Sequence, residues 1–406
     1  MNCRFDGKPL KHVFVDLGFS PPSNAYLTEA QLNEPEIYYP LKLWVSERTF
    51  LVQVDEVKKA TEIFDNEYAY FSSFSSSWLE HCKHYCDEVV KRFKLNEESQ
   101  VIEIASNDGY LLQYFKKKEI PVLGIEPTKN TAEVAIAKGI QTITKFFGIQ
   151  TAEKLANNVK KADLLIGNNV LAHVPDINDF VAGLKIILDD DGIITMEFPH
   201  LLQLILKNQF DTIYHEHFSY FSLFTVRQIF DAHDLEIFDV DELPTHGGSL
   251  RIYARHKGKS ETSDAINEVI KKEGDHKLFE LGTYLQFQQQ IQHIKNDLVG
   301  FLIEQKKLGK KVAAYGAAAK GNTLLNYCGI KADLISFVAD LSPHKQGKYL
   351  PGSHIPIFSP NEIEKHKPDY IIILPWNIKE EIMVQLVNAK KWGVKFLVPI
   401  PSFQII

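Results

Sequence analysis

The sequence predicts an α/β protein whose main sheet has five parallel strands followed by an antiparallel hairpin. Between residue 100 and about residue 255, apolar runs alternate with helical segments, which is typical of parallel strands joined by helical crossovers. The last two runs, LEIFDVDEL (235–243) and SLRIYAR (249–255), are separated only by PTHGG. Because this connection is too short for a crossover helix, we expect the two strands to be antiparallel. The earlier strands are predicted at residues 100–106, 121–127, 141–147, 162–169 and 192–199, with helices at 109–118 and 177–188 among the connections.

Two further units flank this sheet. Residues 1–80 are rich in aromatic residues and prolines and lack helical periodicity, so we expect short strands and loops there. Residues 261–309 predict one or two long helices, because apolar residues recur at helical spacings. A second α/β unit follows, with buried strands expected at residues 311–317, 334–340, 369–375 and 395–401. We therefore predict three domains, at residues 1–80, 81–258 and 259–406.

Composition and charge are those of an ordinary soluble globular protein. The 406 residues are 45% hydrophobic and 24% charged, enough for two or three domains with substantial cores. A net charge of −7 and the lack of a basic stretch argue against nucleic-acid binding. The first residues lack the apolar core of a signal peptide, and no run approaches the length of a membrane span. The four cysteines show no disulfide framework, so we expect a cytoplasmic protein without membrane association.

The loop after the first strand, in VIEIASNDGYLL (101–112), predicts a ligand site. Gly109 would let the chain turn tightly, and Glu103 offers an acceptor to a polar or cationic ligand, as do Ser106 to Asp108. The second strand ends in Glu126, and an acidic residue at this place commonly accepts hydrogen bonds from a ribose diol. The dinucleotide pattern G-x-G-x-x-G is absent here. A ligand with a ribose but no pyrophosphate fits such a loop, and S-adenosylmethionine fits it better than NAD.

The same turn residues also occur where no ligand binds, because Asn, Asp and Gly favour turns. Together with Glu126 and the strand order, however, the loop favours the cofactor. Phe146 and Phe147 end the third predicted strand and would either stack on adenine or belong to the core. The predicted cofactor-binding residues are Glu103, Ala105, Ser106, Asn107, Asp108, Gly109, Glu126, Pro127, Phe146, Phe147, Asn168 and Asn169.

Three groups of motifs carry a resemblance to a known family. The first group is EIASNDGYL (103–111), GIEPT (124–128), NNVLAHVPD (168–176) and YHEHFSYFS (214–222). The second is HGGSLRIYA (246–254), and the third is YGAAAKGNTLLNY (315–327), VAD (338–340), KQGKYLPGSHIPI (345–357) and LPWN (374–377). With DLGFSPPSNAYL (16–27) and YAYFSSFSSSW (68–78), they resemble the nucleotide-sugar C-methyltransferases of deoxy-ketosugars over nearly the whole chain. The resemblance implies a class I S-adenosylmethionine methyltransferase fold, a Rossmann-like seven-stranded sheet, with S-adenosylhomocysteine as product.

By this resemblance, Tyr214, Glu216 and His217 supply the chemistry. Methylation of a sugar carbon requires a carbanion, and removal of a proton next to a ketone is the accessible route to one. The protein must then supply a base and a donor for the developing oxyanion. The resemblance implies that His217 is the base, that Glu216 orients it or shares its role, and that Tyr214 donates to the substrate oxygen. The neighbouring His215 is expected to face solvent.

Three more residues are predicted near this site. His173 follows the fourth strand and so lies at the carboxyl edge of the sheet, where open α/β folds bind ligands. An isolated histidine is also commonly structural, and this alternative stays open for His173. Tyr68 or Tyr70, from the amino-terminal module, would close the pocket, and the sequence does not distinguish them.

The second α/β unit predicts a phosphate site. Small residues follow the strand that ends at Tyr315, and Lys320 stands at the start of the next helix, an arrangement that suits a phosphate group. Because the dinucleotide glycines are absent, we assign the site to the diphosphate of a nucleotide-sugar; a structural turn is the alternative. The predicted substrate-binding residues are Gly316, Ala317, Lys320, Gly321, Asn322, Lys345, Lys348 and Tyr349.

The amino-terminal module departs from the family in one respect. The resemblance implies a structural zinc held by two C-x2-C pairs, but the corresponding positions here are Cys3, Asp6, Ser46 and Thr49. One thiolate does not make a closed tetrahedral zinc site, so we expect the shape of the module without its metal. We reject a second metal hypothesis, on the helical segment with His81, Cys82, His84 and Cys86, because no further ligand pair stands nearby.

The sequence therefore predicts an S-adenosylmethionine-dependent C-methyltransferase of a nucleotide-linked ketosugar, dTDP-linked or other, acting at C3 next to a C4 ketone. The alternatives are O- or N-methylation of a sugar, and a binding protein that keeps the fold without turnover. We expect a monomer or a weak homo-oligomer.

Overall fold

The computed structural model describes residues 1–57, 71–259 and 262–406. Strands are found at β1 His12–Ser20, β2 Tyr39–Val45, β3 Val52–Val54, β4 Val101–Ile104, β5 Val122–Ile125, β6 Thr142–Ile143, β7 Ala162–Asn168, β8 Leu188–Pro199, β9 Ser219–Tyr220, β10 Leu235–Leu243, β11 Ser249–His256, β12 Val312–Tyr315, β13 Val338–Ala339, β14 Ile357–Phe358, β15 Tyr370–Ile373, β16 Lys395–Val398 and β17 Gln404–Ile405. Helices are found at α1 Ser76–Arg92, α2 Leu112–Lys116, α3 Lys129–Ala137, α4 Ile149–Ala156, α5 Ile177–Ile187, α6 Leu201–Leu206, α7 Leu223–Asp231, α8 Asp264–Asp275, α9 Leu281–Leu285, α10 Phe287–Lys307, α11 Ala319–Cys328, α12 Asn361–His366 and α13 Lys379–Gln385.

The middle of the chain forms a seven-stranded sheet in the order β6-β5-β4-β7-β8-β11-β10. Strand β11 is antiparallel to both of its neighbours, and the other strands are parallel to one another. All four residues of β4 are buried, as expected for a strand covered by helices on both faces. This order, with its closing hairpin, confirms the predicted class I methyltransferase fold.

Two predicted elements of this sheet are shorter than expected. The third strand was predicted to reach residue 147, but β6 pairs with β5 over two residues only. Lys145 N–H then donates to the Ile143 carbonyl at 3.1 Å, and this turn takes the chain out of the sheet. Helix α2 begins at Leu112 rather than at residue 109, because Gly109 still belongs to the preceding turn, in which its N–H donates to the Ser106 carbonyl.

The amino-terminal module forms a four-stranded antiparallel sheet in the order β1-β2-β3-β9. Its last strand, Ser219–Tyr220, belongs to the middle of the chain and follows directly after the motif at residues 214–217. Tyr220 pairs with Val52 and Ser219 with Gln53. The amino-terminal sheet therefore includes residues from both sides of the predicted boundary at residue 80.

The carboxyl-terminal unit is a six-stranded sheet in the order β14-β13-β12-β15-β16-β17, of which only β17 is antiparallel. Three helices, α8 to α10, precede it where one or two were predicted. Helix α8 packs on the seven-stranded sheet, and its Glu273 carboxylate accepts hydrogen bonds from Leu223 N at 2.6 Å and Phe224 N at 3.0 Å. The predicted boundary at residue 258 thus falls before a helix that belongs to the middle domain's core.

One apolar core joins the amino-terminal sheet to the carboxyl-terminal unit. Phe14 of β1 stacks on Phe287 of α10 with ring centroids 4.7 Å apart, and residues 201–220 contribute to the same core. The two outer units therefore meet beside the carboxyl edge of the central sheet. Within the described residues, no helix has the length and apolar character that spanning a bilayer requires.

Candidate active site

A cavity of about 870 Å³ lies where the three units meet. One wall follows the carboxyl ends of the central strands and includes Ala105 after β4, Glu126 after β5 and Asn169 after β7. The opposite wall follows the carboxyl ends of β12 and β15 and includes Ala318, Ala319, Lys320, Pro375 and Asn377. Because ligands of open α/β sheets bind at these edges, the cavity joins two such sites in one space.

The loop after β4 is held in an unusual backbone conformation. Ala105 and Asn107 both have positive φ, at 57° and 47°. Asn107 N–H donates to the Glu126 carboxylate at 2.8 Å, and the Asn107 side-chain oxygen accepts from Ser72 N–H at 2.9 Å. Glu126 also accepts from Thr128 N–H at 2.9 Å. These contacts link the ends of β4 and β5 and the segment before α1 on the cavity wall.

Eight of the twelve residues predicted to bind the cofactor line the cavity, namely Ala105, Asn107, Glu126, Pro127, Phe146, Phe147, Asn168 and Asn169. Phe147 contacts Phe180 edge to face at 5.5 Å, and both Phe146 and Phe147 lie in the loop after β6 rather than in a strand. Whether they stack on adenine stays a prediction.

The other four predicted cofactor residues do not line the cavity. Glu103 is fully buried, and burial raises the pKa of its carboxyl well above the ordinary value, which a hydrogen bond from Tyr110 partly offsets. Asp108 is buried and pairs with the Lys138 ammonium at 3.3 Å. Ser106 is fully buried, next to Gly124. At Gly109, with φ of 74°, a Cβ would come within 2.4 Å of Ile140 Cδ1, so this glycine faces the core and not the cavity.

The predicted catalytic residues Tyr214, Glu216 and His217 line the cavity, beside the loop that follows β7. The loop that carries them is fixed on both sides. Thr323 of α11 donates to the Ile213 carbonyl at 2.8 Å, and Phe218 N–H donates to the Ala172 carbonyl at 2.7 Å. The short strand β9 then fixes the end of the loop in the amino-terminal sheet.

His217 and His173 form an edge-to-face pair with ring centroids 4.7 Å apart. His217 Nδ1 donates to the Thr212 carbonyl at 3.0 Å, and His173 Nδ1 donates to the Glu216 carbonyl at 2.8 Å. In each neutral ring Nε2 therefore carries the lone pair. Burial lowers the pKa of His217 well below its ordinary value and that of His173 to about 4, so both are neutral at pH 7.

The surroundings of this loop correct one expectation. His215 was expected to face solvent, but it is 4% exposed; its Nε2 lies 3.2 Å from the Pro40 carbonyl and its ring contacts Tyr39. It is buried because β2 of the amino-terminal sheet covers this side of the loop. Glu216 is also buried, and its carboxylate accepts a hydrogen bond from Asn24 Nδ2 at 2.8 Å. The predicted residues Tyr68 and Tyr70 lie outside the described residues.

Two of the eight predicted substrate residues, Lys320 and Lys345, line the cavity. Lys320 Nζ donates to Asn377 Oδ1 at 2.6 Å, and Lys345 Nζ donates to the Ala317 carbonyl at 2.8 Å. Burial lowers the pKa of both lysines. Burial is the main cause of the low pKa of His217, and the positive charge of Lys320 contributes to it.

The other predicted substrate residues, Gly316, Ala317, Gly321, Asn322, Lys348 and Tyr349, do not line the cavity. Gly316 and Gly321 pack against Pro375 and Leu374. Asn322 is 1% exposed and donates to the Ser23 carbonyl at 2.6 Å, whereas Tyr349 pairs with Leu27. Several of these residues therefore attach the amino-terminal module to the carboxyl-terminal unit, a contact that one sequence does not reveal.

The structure adds cavity residues that the sequence did not single out, notably Asn24, Trp78, His246 and Asn377. His246 Nε2 lies 3.2 Å from Asn169 Nδ2, and its ring contacts Trp78 at 5.5 Å. Asn24, His246 and Asn377 each stand inside a motif that carried the family resemblance. Membership of those motifs was the signal that could have identified them.

The positions that correspond to zinc ligands come together, but their chemistry does not suit the metal. Cys3 Sγ lies 3.7 Å from Thr49 Oγ1, and Ser46 Oγ accepts from Thr49 N–H at 3.1 Å. Burial raises the pKa of the Cys3 thiol, which opposes formation of the thiolate that zinc binds. Among the described residues, no group of three or more His, Cys, Asp or Glu side chains could hold a metal ion. One thiol, one carboxylate and two hydroxyls do not fit a structural zinc.

Comparison with known proteins identifies three family matches. Residues 3–64 match "Putative zinc binding domain", residues 78–240 match "Methyltransferase domain", and residues 244–401 match "C-methyltransferase C-terminal domain". The chain is 34% identical over 405 residues to C-methyltransferase NovU of Streptomyces niveus, covering 100% of this chain and 96% of NovU.

Solved structures show lower similarity. PH0226 protein of Pyrococcus horikoshii is 16% identical, with 49% of this chain and 99% of that chain covered and a TM-score of 0.37. Magnesium protoporphyrin IX methyltransferase of Synechocystis, solved with bound SAH, is 16% identical, with 44% and 83% covered and a TM-score of 0.36. Similarity at this level does not indicate what this chain binds. The full-length relative and the three family matches show that the chain belongs to the C-methyltransferase family and is an S-adenosylmethionine-dependent methyltransferase.

Proposed function

We propose that this C-methyltransferase acts on a nucleotide-linked keto-deoxysugar and methylates C3, next to a C4 ketone. The main support is the single cavity, which brings the cofactor edge of the central sheet, a pair of neutral imidazoles and a lysine-bearing wall within reach of one substrate. C-methylation needs an acidic C–H bond, and a ketone next to the accepting carbon provides it.

The carboxyl edge of the central sheet would hold the cofactor, and its residues fit this role. The Glu126 carboxylate lies on the cavity wall, where hydrogen bonds from Asn107 N–H and from the N–H and hydroxyl of Thr128 hold it in position to meet a ribose hydroxyl. Asn169 Oδ1 is a buried acceptor without a partner among the described residues, as expected where a polar ligand group belongs. When bound, S-adenosylmethionine supplies a methyl group on a cationic sulfur.

His217 is the proposed base. Its Nδ1–H is held by the Thr212 carbonyl, so Nε2 can accept the proton from the substrate carbon. The Glu216 carboxylate, in the same loop as His217, accepts a hydrogen bond from Asn24 Nδ2 and would orient the base or share its role. Tyr214, whose ring centroid lies 4.0 Å from that of His217, can donate its hydroxyl proton in a hydrogen bond to a substrate oxygen beside the base.

The opposite wall would bind the diphosphate of the nucleotide. Ala318 and Ala319 lead into helix α11, whose first N–H groups and dipole favour an anion. Lys345 reaches the cavity beside them. This wall supports a nucleotide-linked substrate rather than a free sugar.

The test is methyl transfer from methyl-labelled S-adenosylmethionine to a panel of nucleotide-linked 4-ketosugars, the matching 4-hydroxy sugars and free ketosugars. We expect labelled product only with the nucleotide-linked ketosugars. In deuterium oxide with S-adenosylhomocysteine in place of the methyl donor, deuterium should enter C3. Exchange at C5, the other carbon next to the ketone, would contradict the position. Failure of all ketosugars with a protein that still binds S-adenosylhomocysteine would contradict the substrate class.

A further inference from the structure

His246 occupies a place in the cavity wall that the proposed mechanism does not yet use. It follows strand β10, in the short connection to β11, and lines the cavity together with Asn169 and Trp78. Its backbone has φ of 52°, a left-handed conformation that a residue with a Cβ adopts at a cost. Gly247 and Gly248 follow with φ of 91° and 128°, and a Cβ at Gly247 would come within 2.4 Å of the Trp376 ring. Such strain is retained where the surroundings fix the residue, and it is common at functional sites.

The surroundings do fix it, through the buried carboxylate of Glu197 at the end of β8. Glu197 Oε1 accepts from Thr245 Oγ1 at 2.8 Å, next to His246 in the chain. The backbone carbonyl of Glu197 accepts from Asn169 N–H at 2.7 Å. On its other side, Glu197 Oε2 is held by Arg251 at 2.8 Å and lies 2.9 Å from His81 Nε2. One buried residue, Glu197, therefore positions both His246, through its carboxylate, and Asn169, through its backbone carbonyl.

The hydrogen bond to Asn169 determines which ring nitrogen of His246 carries the proton. Asn169 Nδ2 can only donate, so His246 Nε2 accepts, at 3.2 Å, and the proton of the neutral ring is on Nδ1. Burial, and then the charge of Lys320, lower the pKa of His246 to about 4, so the ring is neutral at pH 7. No described residue accepts a hydrogen bond from Nδ1.

The three imidazoles in the cavity therefore differ in what they can do. His217 and His173 use Nδ1–H to bind backbone carbonyls, so the lone pair of each neutral ring is on Nε2. His246 uses the lone pair of Nε2 and keeps an N–H. It cannot serve as a base through Nδ1, but it can donate a hydrogen bond to an oxygen on which negative charge develops. Lys320, on the facing wall, adds positive charge near the same place.

We infer that His246 is a further catalytic residue, whose Nδ1–H donates a hydrogen bond to the ketone oxygen of the substrate and stabilises the enolate. This inference rests on the proposed function. In the step, the C–H bond breaks and its proton moves to His217 Nε2. The electron pair of that bond forms the carbon–carbon double bond of the enolate, and the carbonyl π pair moves to the oxygen. His246 keeps its proton throughout and acts by the hydrogen bond alone.

A matched pair of substitutions tests the role of Nδ1. In His246→Asn the amide nitrogen takes nearly the position of Nδ1, and Asn tolerates the left-handed backbone better than most residues. In His246→Gln the amide reaches toward Asn169 instead, and no donor remains at the δ position. We expect His246→Gln to lower both methyl transfer and deuterium exchange into the substrate by about 10²-fold, the usual effect of losing one oxyanion donor. His246→Asn should lose less than about tenfold.

Two further measurements exclude a merely structural effect. S-adenosylhomocysteine affinity should stay within about threefold in both variants, and the acid limb of the kcat/KM profile should not move, because His246 is not the base. Equal losses in the two variants, an unaffected His246→Gln enzyme, or a shifted acid limb would overturn the inference. If either variant melts well below the wild type, a structure of the complex with a ketosugar nucleotide decides instead: Nδ1 within about 3.2 Å of the ketone oxygen supports the inference, and any longer distance overturns it.

These outcomes are separable from failure of the proposed function. A wild-type enzyme that neither methylates any ketosugar nor exchanges deuterium into one overturns the proposed function and this inference together. An active wild type with an unaffected His246→Gln variant overturns this inference alone.

Discussion

Replacement of His217 by glutamine tests the proposed base most directly. Glutamine keeps much of the bulk of the imidazole and loses its basic nitrogen. A general base contributes about 10²- to 10⁴-fold to the rate. We expect a loss of about 10³-fold in kcat, or about 4 kcal/mol of activation free energy. A loss of about 10⁴-fold is not expected, because His173 can replace part of the lost basicity. Its ring centroid lies 4.7 Å from that of His217, and the lone pair of its neutral ring is also on Nε2.

The cost in stability should be small by comparison. The variant loses the hydrogen bond from Nδ1 to the Thr212 carbonyl, worth about 1 kcal/mol, and part of the contact with Tyr214. The proposed cofactor site is made by other residues, so the affinity for S-adenosylhomocysteine should stay within about threefold. We therefore expect a Tm shift of a few degrees in the variant and no loss of the fold.

The assay is single-turnover methyl transfer together with deuterium exchange, over a range of pH. Wild-type His217 acts in its deprotonated form, and its pKa is lowered, so kcat/KM should be constant from pH 8 down to its ordinary pKa of about 6.5 and fall only below it. In His217→Gln the acid limb of the kcat/KM profile should disappear, or its position should be set by the pKa of His173 instead. Wild-type exchange in the variant, or a loss of cofactor affinity as large as the loss of turnover, would refute the assignment of His217 as the base.

Three more predictions follow from the site and its surroundings. Glu126→Ala should weaken S-adenosylhomocysteine binding by about 10- to 100-fold in calorimetry, because a charged hydrogen bond and the support of Asn107 are lost; unchanged affinity would contradict the cofactor placement. The free energy of unfolding should fall as pH drops below about 6.5, because the unfolded chain takes up protons on His173 and His246 whereas the folded chain, with both pKa values near 4, does not. We expect about 2 kcal/mol from each near pH 4.5, measured by urea titration, and both alanine variants should reduce the slope. Elemental analysis should find far less than one zinc per chain, since Cys3 stands without a second thiol; one equivalent retained after dialysis would contradict this.

The fold was predictable from the sequence because its decisive signals are local. The PTHGG connection is too short for anything but an antiparallel pair, and the alternation of strands and helices before it predicts that the earlier strands are parallel. The lengths of elements were less predictable, since β6 ends where its pairing with β5 ends and not where its apolar residues end.

The site was predictable only in part, because it depends on contacts between distant segments. Tyr214, Glu216 and His217 stand in one motif, so one loop carries them to the cavity together. Asn24 reaches Glu216 across 192 positions of sequence, and no periodicity or spacing foretells such a pair. Asn322 looked like a ligand residue, yet it binds Ser23, because the amino-terminal module packs on the helix that carries it.

The two-residue strand Ser219–Tyr220 has a consequence for anyone who wishes to recombine these enzymes. This strand belongs to the sheet of the first module, and the residues just before it are the proposed catalytic ones. An exchange of residues 1–57 alone would therefore pair a foreign strand β3 with the native strand β9. Chimeras that alter substrate preference should exchange residues 1–80 and 210–222 as one cassette, and those cut at the apparent border near residue 80 should be inactive however well each half is expressed.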